Sequence, residues 1–420
     1  MTIMPPAMRR TLATLTMVWL CGGVLSRPVH AQTQDAFFSD DDVQDVSLTM
    51  SERDWQTLKE NYEQDTYYSA DLRWRGVVVR NVGVRSRGNT TRNGVKPGLR
   101  IDINRYISEQ EFVGLKGFAL DNAYSDRSLM RERLVMKMFA RLALPAPREA
   151  HVRLFVNDRF AGVYVLIESI DRAFISRRFG AFEGDVERGG FLFDYRWVRP
   201  YHFEALGSGL EAYAELFTPK TRETESMSTL FGPLRDLITA INDSPDDRFA
   251  AEVGALLDLR QVVRVLAVEN FMSEVDGFLG EWGVHNIYLY RFRDLRPAVL
   301  LPWDKDTSFW TVDHPVTYHI EANVLARRAL MVPDLAQLYV DTLVECAAVA
   351  SEPAADGRGW LEHEIDRVYR QIEAGVAADP GLPVTADDVA REVEALRSFA
   401  RARPARVLRE ITASDSQRRR

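Results

Sequence analysis

Asp276, Asn286 and Asp304 are the residues of this chain whose types and spacing best suit chemistry. The runs 285–292 (HNIYLYRF) and 298–304 (AVLLPWD) read as two short strands on either side of a polar turn near Leu295. An antiparallel pair centred on Leu295 sets Asn286 opposite Asp304 at the open end of the hairpin. A helix read over Leu257 to Val275 delivers Asp276-Gly277 to the loop that leads into it. One carboxylate and one carboxamide suit a hard cation such as Mg²⁺ or Mn²⁺, which keeps water and phosphate oxygens in its shell. A separate aspartate suits orientation of an attacking hydroxyl in phosphoryl transfer. Asp306 reads as a second ligand, an acceptor-side residue or a plain turn residue.

Such a site also needs positive charge and a phosphate cradle. Arg85-Ser86-Arg87-Gly88-Asn89-Thr90-Thr91 follows a strand and runs on to Gly94, Lys96 and Gly98. Exposed backbone N–H groups, two arginines and a lysine therefore come close together, although a solvated basic turn has the same composition. Glu132, one turn into a helix, is a candidate partner for Lys96.

The elements that must position these groups divide the chain by texture. Tyr67 to Trp74 and Val77 to Val84 flank Arg75-Gly76, and Val152 to Val156 and Gly162 to Ile167 flank Asn157-Asp158, two hairpin signals. Short strands over Val46 to Thr49, Leu99 to Ile103 and Phe118 to Leu120, with a helix over Leu129 to Leu142, complete a mostly antiparallel first half. Beyond Ile170, helices are expected over Leu230 to Ile241, Leu257 to Val275, Asp334 to Ala350, Arg358 to Ala374 and Ala386 to Thr412, the last kinked or broken at Pro404. The region Ala181 to Thr229 reads as a variable insertion. The fold class is α+β.

Residues 1–31 read as an export leader: Arg9 and Arg10 precede an apolar run, and Val29-His30-Ala31 suits cleavage. Residues 32–42 read as a flexible acidic linker. Without the leader, Cys346 is the only cysteine, so no intramolecular disulfide forms. The net charge of −8 includes Arg9, Arg10 and Arg27, leaving −8 − 3 = −11 after cleavage. That balance disfavours general nucleic-acid binding, and no stable membrane span is expected once the leader is gone.

Taken together, the motifs resemble the CotH kinases, a family similar in fold to protein kinases. The resemblance covers roughly Val43 to Trp310. It rests on Arg85 to Asn89, Gly114-Leu115-Lys116 leading to Leu120-Asp121-Asn122, Leu129 to Leu134, Val156-Asn157-Asp158 with Gly162-Val163-Tyr164, Glu168 to Asp171, Val275-Asp276-Gly277, Asn286 to Tyr290, and Pro302 to Asp306. It implies a β-rich nucleotide-binding lobe over 43–169 and a mainly helical lobe over 170–420. It further implies ATP with a divalent cation, Asp276 as catalytic base, and Asn286 and Asp304 as metal ligands. Lys96 and Arg87 become phosphate contacts, with Arg100 the alternative to Lys96, and Glu168 falls near the nucleotide where the lobes join. Nine residues separate Asp276 from Asn286, more than in familiar protein kinases. Phe278, Trp282 and His285 in that longer loop either shape an acceptor pocket or pack on the helical lobe, and packing is favoured.

The function expected is an exported kinase, periplasmic or extracellular, acting on serine or threonine hydroxyls of an envelope or secreted protein. Two other classes stay open: a non-catalytic assembly protein on the same scaffold, and a phosphotransferase acting on a glycan or small molecule. Spacing leaves the acceptor and the oligomeric state open.

Overall fold

Arg75-Gly76 and Asn157-Asp158 take the left-handed backbone that tight hairpins require, with φ of 45°, 82°, 51° and 61°. They close the two hairpins expected from the sequence. The structure, a computed structural model, describes residues 32–180 and 189–418. The expected leader at 1–31 and part of the expected insertion lie outside the described residues.

The N-terminal half contains α1 (Gln34–Phe37), β1 (Gln44–Met50), α2 (Glu52–Glu60), β2 (Tyr68–Trp74), β3 (Val77–Arg87), β4 (Gly98–Asp102), β5 (Gly117–Asp121), α3 (Arg131–Arg141), β6 (Glu149–Val156) and β7 (Arg159–Glu168). Its strands form a closed barrel in the order β1-β2-β3-β4-β5-β7-β6. Every pairing is antiparallel except the one that closes the barrel, β1 with β6. Closure leaves this sheet without a free edge.

The segment 32–42 is no linker. Phe37 is fully buried in the barrel core, edge-on to Trp74, Phe112 and Phe118. Asp40 is held by Arg133, Lys137 and Arg367. The acidic composition signalled solvation, but the aromatic pair Phe37-Phe38 supplies the apolar surface that anchors the segment.

The second half continues with α4 (Arg172–Phe179), β8 (Phe191–Tyr195), α5 (Glu211–Leu216), β9 (Phe217–Pro219), α6 (Met227–Asp243), α7 (Phe249–Gly254), α8 (Leu259–Phe271), β10 (Ile287–Arg291), β11 (Val299–Pro302), α9 (Val324–Met331), α10 (Pro333–Ser351), α11 (Trp360–Ala377) and α12 (Ala386–Arg418). The expected hairpin is widened by β8 and β9 into a sheet ordered β11-β10-β8-β9. Residues read as an insertion thus supply half its strands, because Phe191, Leu192, Phe193 and Phe217 are core residues. Helix α12 runs through Pro404 without a break. Neighbouring Arg403 is fully buried and donates to the carbonyls of Asn270, Phe271, Val312 and His314. It thereby satisfies carbonyls at the C-terminus of α8. One apolar cluster extends from α3 and the outer face of β7 through α8 to α12, and Gln32 onward is a single compact unit.

Candidate functional site

Helix α8 ends at Phe271, earlier than the sequence suggested, and the chain reaches Asp276 through a tightly bonded turn. Asp276 N donates to Glu274 Oε1 at 2.7 Å, and Glu274 also accepts from the hydroxyls of Thr307 and Ser308. Phe278 N donates to Glu269 Oε2 at 2.9 Å. A Cβ on Gly277 would stand 2.6 Å from that same carboxylate oxygen, so only glycine lets the turn close over Glu269.

The hairpin register differs from expectation by one residue. Ile287 pairs with Pro302 and Tyr288 with Leu301, which sets Trp303 opposite Asn286, and Trp303 N donates to Asn286 O at 3.1 Å. The turn centre therefore falls between Asp294 and Leu295. A one-residue slip would normally turn a side chain to the other face. Here Asn286 and Asp304 lie just beyond the strand ends with φ of 50° each, and that left-handed backbone returns both to the same cavity.

This cavity has a volume of about 460 Å³. Asp276, Asn286, Asp304 and Asp306 line one side, and Arg87, Gly88, Asn89, Thr90 and Thr91 another. Asn286 Nδ2 lies 3.1 Å from Asp276 Oδ2 and 2.9 Å from Asp276 O, which leaves Asn286 Oδ1 as the atom able to meet a cation. The other Asp276 oxygen is 2.9 Å from His285 Nδ1. Beneath them Lys305, fully buried, lies 2.9 Å from Glu269 Oε1 and donates to Asn286 O at 3.1 Å. Burial alone would depress its ammonium, but Glu269 and Glu274 outweigh that and raise it, so it stays charged. A single buried cation thus joins the end of α8, the start of β10 and the exit of β11.

Carboxylates dominate the field in the cavity. Burial, aided by Asp121, pushes the Asp304 carboxyl up to about 6 despite nearby Arg87. Burial and then Asp304 push the Asp306 carboxyl well above the usual carboxylate range. Arg87 is the cation of the site, 2.6 Å from Asp121 and stacked over the Trp303 ring. Asp121 was noted only within a motif, although its attachment to Arg87 makes it part of the site. Asn122 fastens the cradle loop by donating to Lys96 O at 2.8 Å and Thr91 O at 3.2 Å.

Several residues expected near the nucleotide lie elsewhere. Lys96 is buried against Asp379 at 2.8 Å, its ammonium over the Tyr164 ring, because Asp379 from the turn after α11 reaches it first. Arg85 pairs with Asp65 at 2.7 Å on the barrel surface. Glu168 is clasped by Arg148 at 2.7 Å and Arg177 at 2.6 Å. Arg100 donates to Ser169 and lines no part of this cavity. Glu132 stands behind the cavity, close enough to Asp304, Asp121 and Asp306 to be raised by each of them.

The long loop divides. Phe278 is fully buried against Phe203, as packing requires. Trp282, 56% exposed, instead lines the cavity beside Trp197 and His285. The Trp197 and His285 rings stack at 5.8 Å with 5° between planes, and Trp197 Nε1 donates to Trp282 O. Exposed indoles are the informative exception to burial.

Among the described residues no group of three or more Asp, Glu, His or Cys side chains is arranged to hold a cation. Asn286 Oδ1 with Asp304, and Asp306 as a third oxygen, fits a Mg²⁺-like ion whose remaining shell is water and phosphate. It does not fit a cage built from protein alone.

A family model described as CotH kinase protein matches residues 84–407. The inner spore coat protein H of Bacillus subtilis (strain 168) is 29% identical over 233 residues, a match covering 54% of this chain and 59% of that protein. Among solved structures, the Helicobacter pylori proinflammatory kinase CtkA aligns over 80% of this chain and 93% of its own at 8% identity. The TM-score is 0.23, and a likeness that slight carries no argument here.

Proposed function

The chain belongs to the CotH kinase protein family, and from that premise we propose that it is an exported kinase transferring the γ-phosphoryl group of ATP to serine or threonine hydroxyls of an envelope or secreted protein. The observation that carries this reading is the cavity itself. It gathers Asp276, Asn286 and Asp304 opposite Arg87 and the Gly88 to Thr91 loop, although these residues come from distant parts of the chain.

In this reading the backbone of Gly88 to Thr91 and the Arg87 guanidinium receive the phosphates. Asn286 and Asp304 would hold the divalent cation, with Asp306 beside them, and that ion would supply neutralisation of charge on the transferred group. Asp276 accepts the proton of the attacking hydroxyl. Its orientation comes from Asn286, which donates to one carboxylate oxygen, and His285 Nδ1 stands 2.9 Å from the other. Lys96, Arg85 and Glu168 have no part in this reading, since none of them lines the cavity. An envelope setting accords with the spore-coat relative, and no described helix is long and apolar enough to cross a membrane.

The purified protein is incubated with labelled ATP, Mg²⁺ or Mn²⁺ and casein-like acceptors, beside Asp276→Ala. Label on serine or threonine that vanishes in the variant supports the reading, and transfer that persists removes Asp276 from the base role. A non-catalytic assembly protein is the competing reading. It draws on Glu132, with which no lysine or arginine forms an ion pair among the described residues. A melting temperature unmoved by ATP with either cation would favour it.

A further inference from the structure

Glu132 on α3 lies behind the cavity without lining it, and next to it stands Glu149 at the start of β6. Each is 7% exposed. The two side chains lie within hydrogen-bond reach of one another. Yet Glu132 Oε1 and both carboxylate oxygens of Glu149 meet no donor among the described groups. Two ionised carboxylates have no proton to offer each other and repel at that range.

The charged groups around the pair do not resolve this. On its other side Glu149 lines a second cavity with Lys137, Arg148, Arg177 and Arg178, but Lys137 is held by Asp40 and Glu364, Arg148 and Arg177 by Glu168, and Arg178 donates to Ala143 O. From β3, Arg87 faces Glu132 but is bonded to Asp121. Beside Glu132 on α3, Arg133 attracts Glu149 while donating to Asp40 and Glu364. From β5 and the exit of β11, Asp121, Asp304 and Asp306 add further negative charge. One proton between the two glutamates supplies the missing donor and removes one buried charge.

We propose that Glu149 is a positioning residue that holds Glu132 at the back of the cavity through one proton shared between their carboxyl groups. The brace fixes the inner face of α3 by a carboxylic acid–carboxylate hydrogen bond that carries a single negative charge, at a place where no lysine or arginine among the described residues forms an ion pair with Glu132. Burial, reinforced by the neighbouring carboxylates, keeps both groups well above the usual carboxylate range. A carboxyl raised in this way takes up a proton on folding. The penalty for losing that proton is absent at low pH and grows as pH climbs from the unfolded value through the folded one.

The test uses the full chain without nucleotide, so its outcome is independent of phosphoryl transfer. Unfolding is measured across mildly acidic to alkaline buffers for wild type, Glu149→Gln and Glu149→Ala. The glutamine keeps a donor facing Glu132 and abolishes the shared proton. Wild type should therefore lose folding constant relative to Glu149→Gln by up to about tenfold per pH unit where the pair deprotonates. Glu149→Ala should melt lower than Glu149→Gln throughout. Parallel pH dependence of wild type and Glu149→Gln overturns the proposal, and is the result expected if bound water satisfies these oxygens. Should the alanine variant fail to fold, infrared spectra at neutral pH decide. A protonated carboxyl carbonyl band lost in Glu132→Gln/Glu149→Gln is expected, and no such band in wild type refutes the shared proton.

Discussion

Lys305→Met would remove the cation on which three segments of the site converge. The methionine fills similar space but leaves Glu269, 1% exposed, as a buried charge without its counter-ion. Removing one member of a buried pair costs about 3–5 kcal/mol, a large share of the roughly 5–15 kcal/mol by which domains are stable. The anchor on Asn286 O is lost at the same time. Urea denaturation followed by tryptophan fluorescence reads the change, together with the melting shift produced by ATP and Mg²⁺. The informative control is Lys305→Met/Glu269→Gln, in which the substituted carboxamide still accepts from Phe278 N but carries no charge. If the cost is that of an orphaned carboxylate, the double variant is more stable than Lys305→Met alone by at least about 1 kcal/mol. A single variant within about 0.5 kcal/mol of wild type, or strictly additive losses, would refute the view that this pair holds the site together.

Asp304→Asn should have opposite effects on stability and binding. The gap from 3.8 to about 6 corresponds to at most about 3 kcal/mol, a penalty that grows as pH rises from the unfolded value and is complete above about 6, so the empty variant should melt higher than wild type at alkaline pH while losing its response to ATP with Mg²⁺. In wild type, that response should weaken as pH falls below about 6, where Asp304 becomes protonated, and binding titrations across pH check the sign. Asp379→Asn should cost about 3 kcal/mol by leaving Lys96 buried without a counter-charge, with nucleotide affinity unchanged, as calorimetry would show. Trp282→Ala, at an exposed position, should move stability by less than about 0.5 kcal/mol and raise KM for the protein acceptor without altering KM for ATP.

Sequence texture conveyed the local elements well and the long-range partners poorly. Both hairpins were legible because Arg75-Gly76 and Asn157-Asp158 carry their turn chemistry in adjacent residues. Asp276, Asn286 and Asp304 were legible because a strand pair and a preceding helix bring them together with few intervening residues. The register was off by one because a hairpin centre judged from polar residues does not reveal which of Asp294 and Leu295 the turn straddles. Lys96 misled for a different reason. Its partner Asp379 lies far along the chain, and no local pattern announces a buried ion pair between such distant residues. Arg403 was missed likewise: within a helix rich in arginine it looks like a solvated residue, whereas it satisfies the carbonyls at the end of α8.

The loop between Asp276 and Asn286 shows how that supporting structure bears on specificity. Glu281 N donates to Val275 O, His285 N to Gly277 O and Val284 N to Tyr201 O, at 2.8, 3.0 and 2.8 Å. With Phe278 sunk in the core, these bonds fix the loop at both ends and from beneath. Trp282 therefore stands on a rigid support, and Trp197 is tied to its carbonyl. A flexible loop would bury its indole for about 1.5–3 kcal/mol of apolar stabilisation. This one keeps it beside Asp276, so that under the proposed reading an acceptor would meet an aromatic wall already in place.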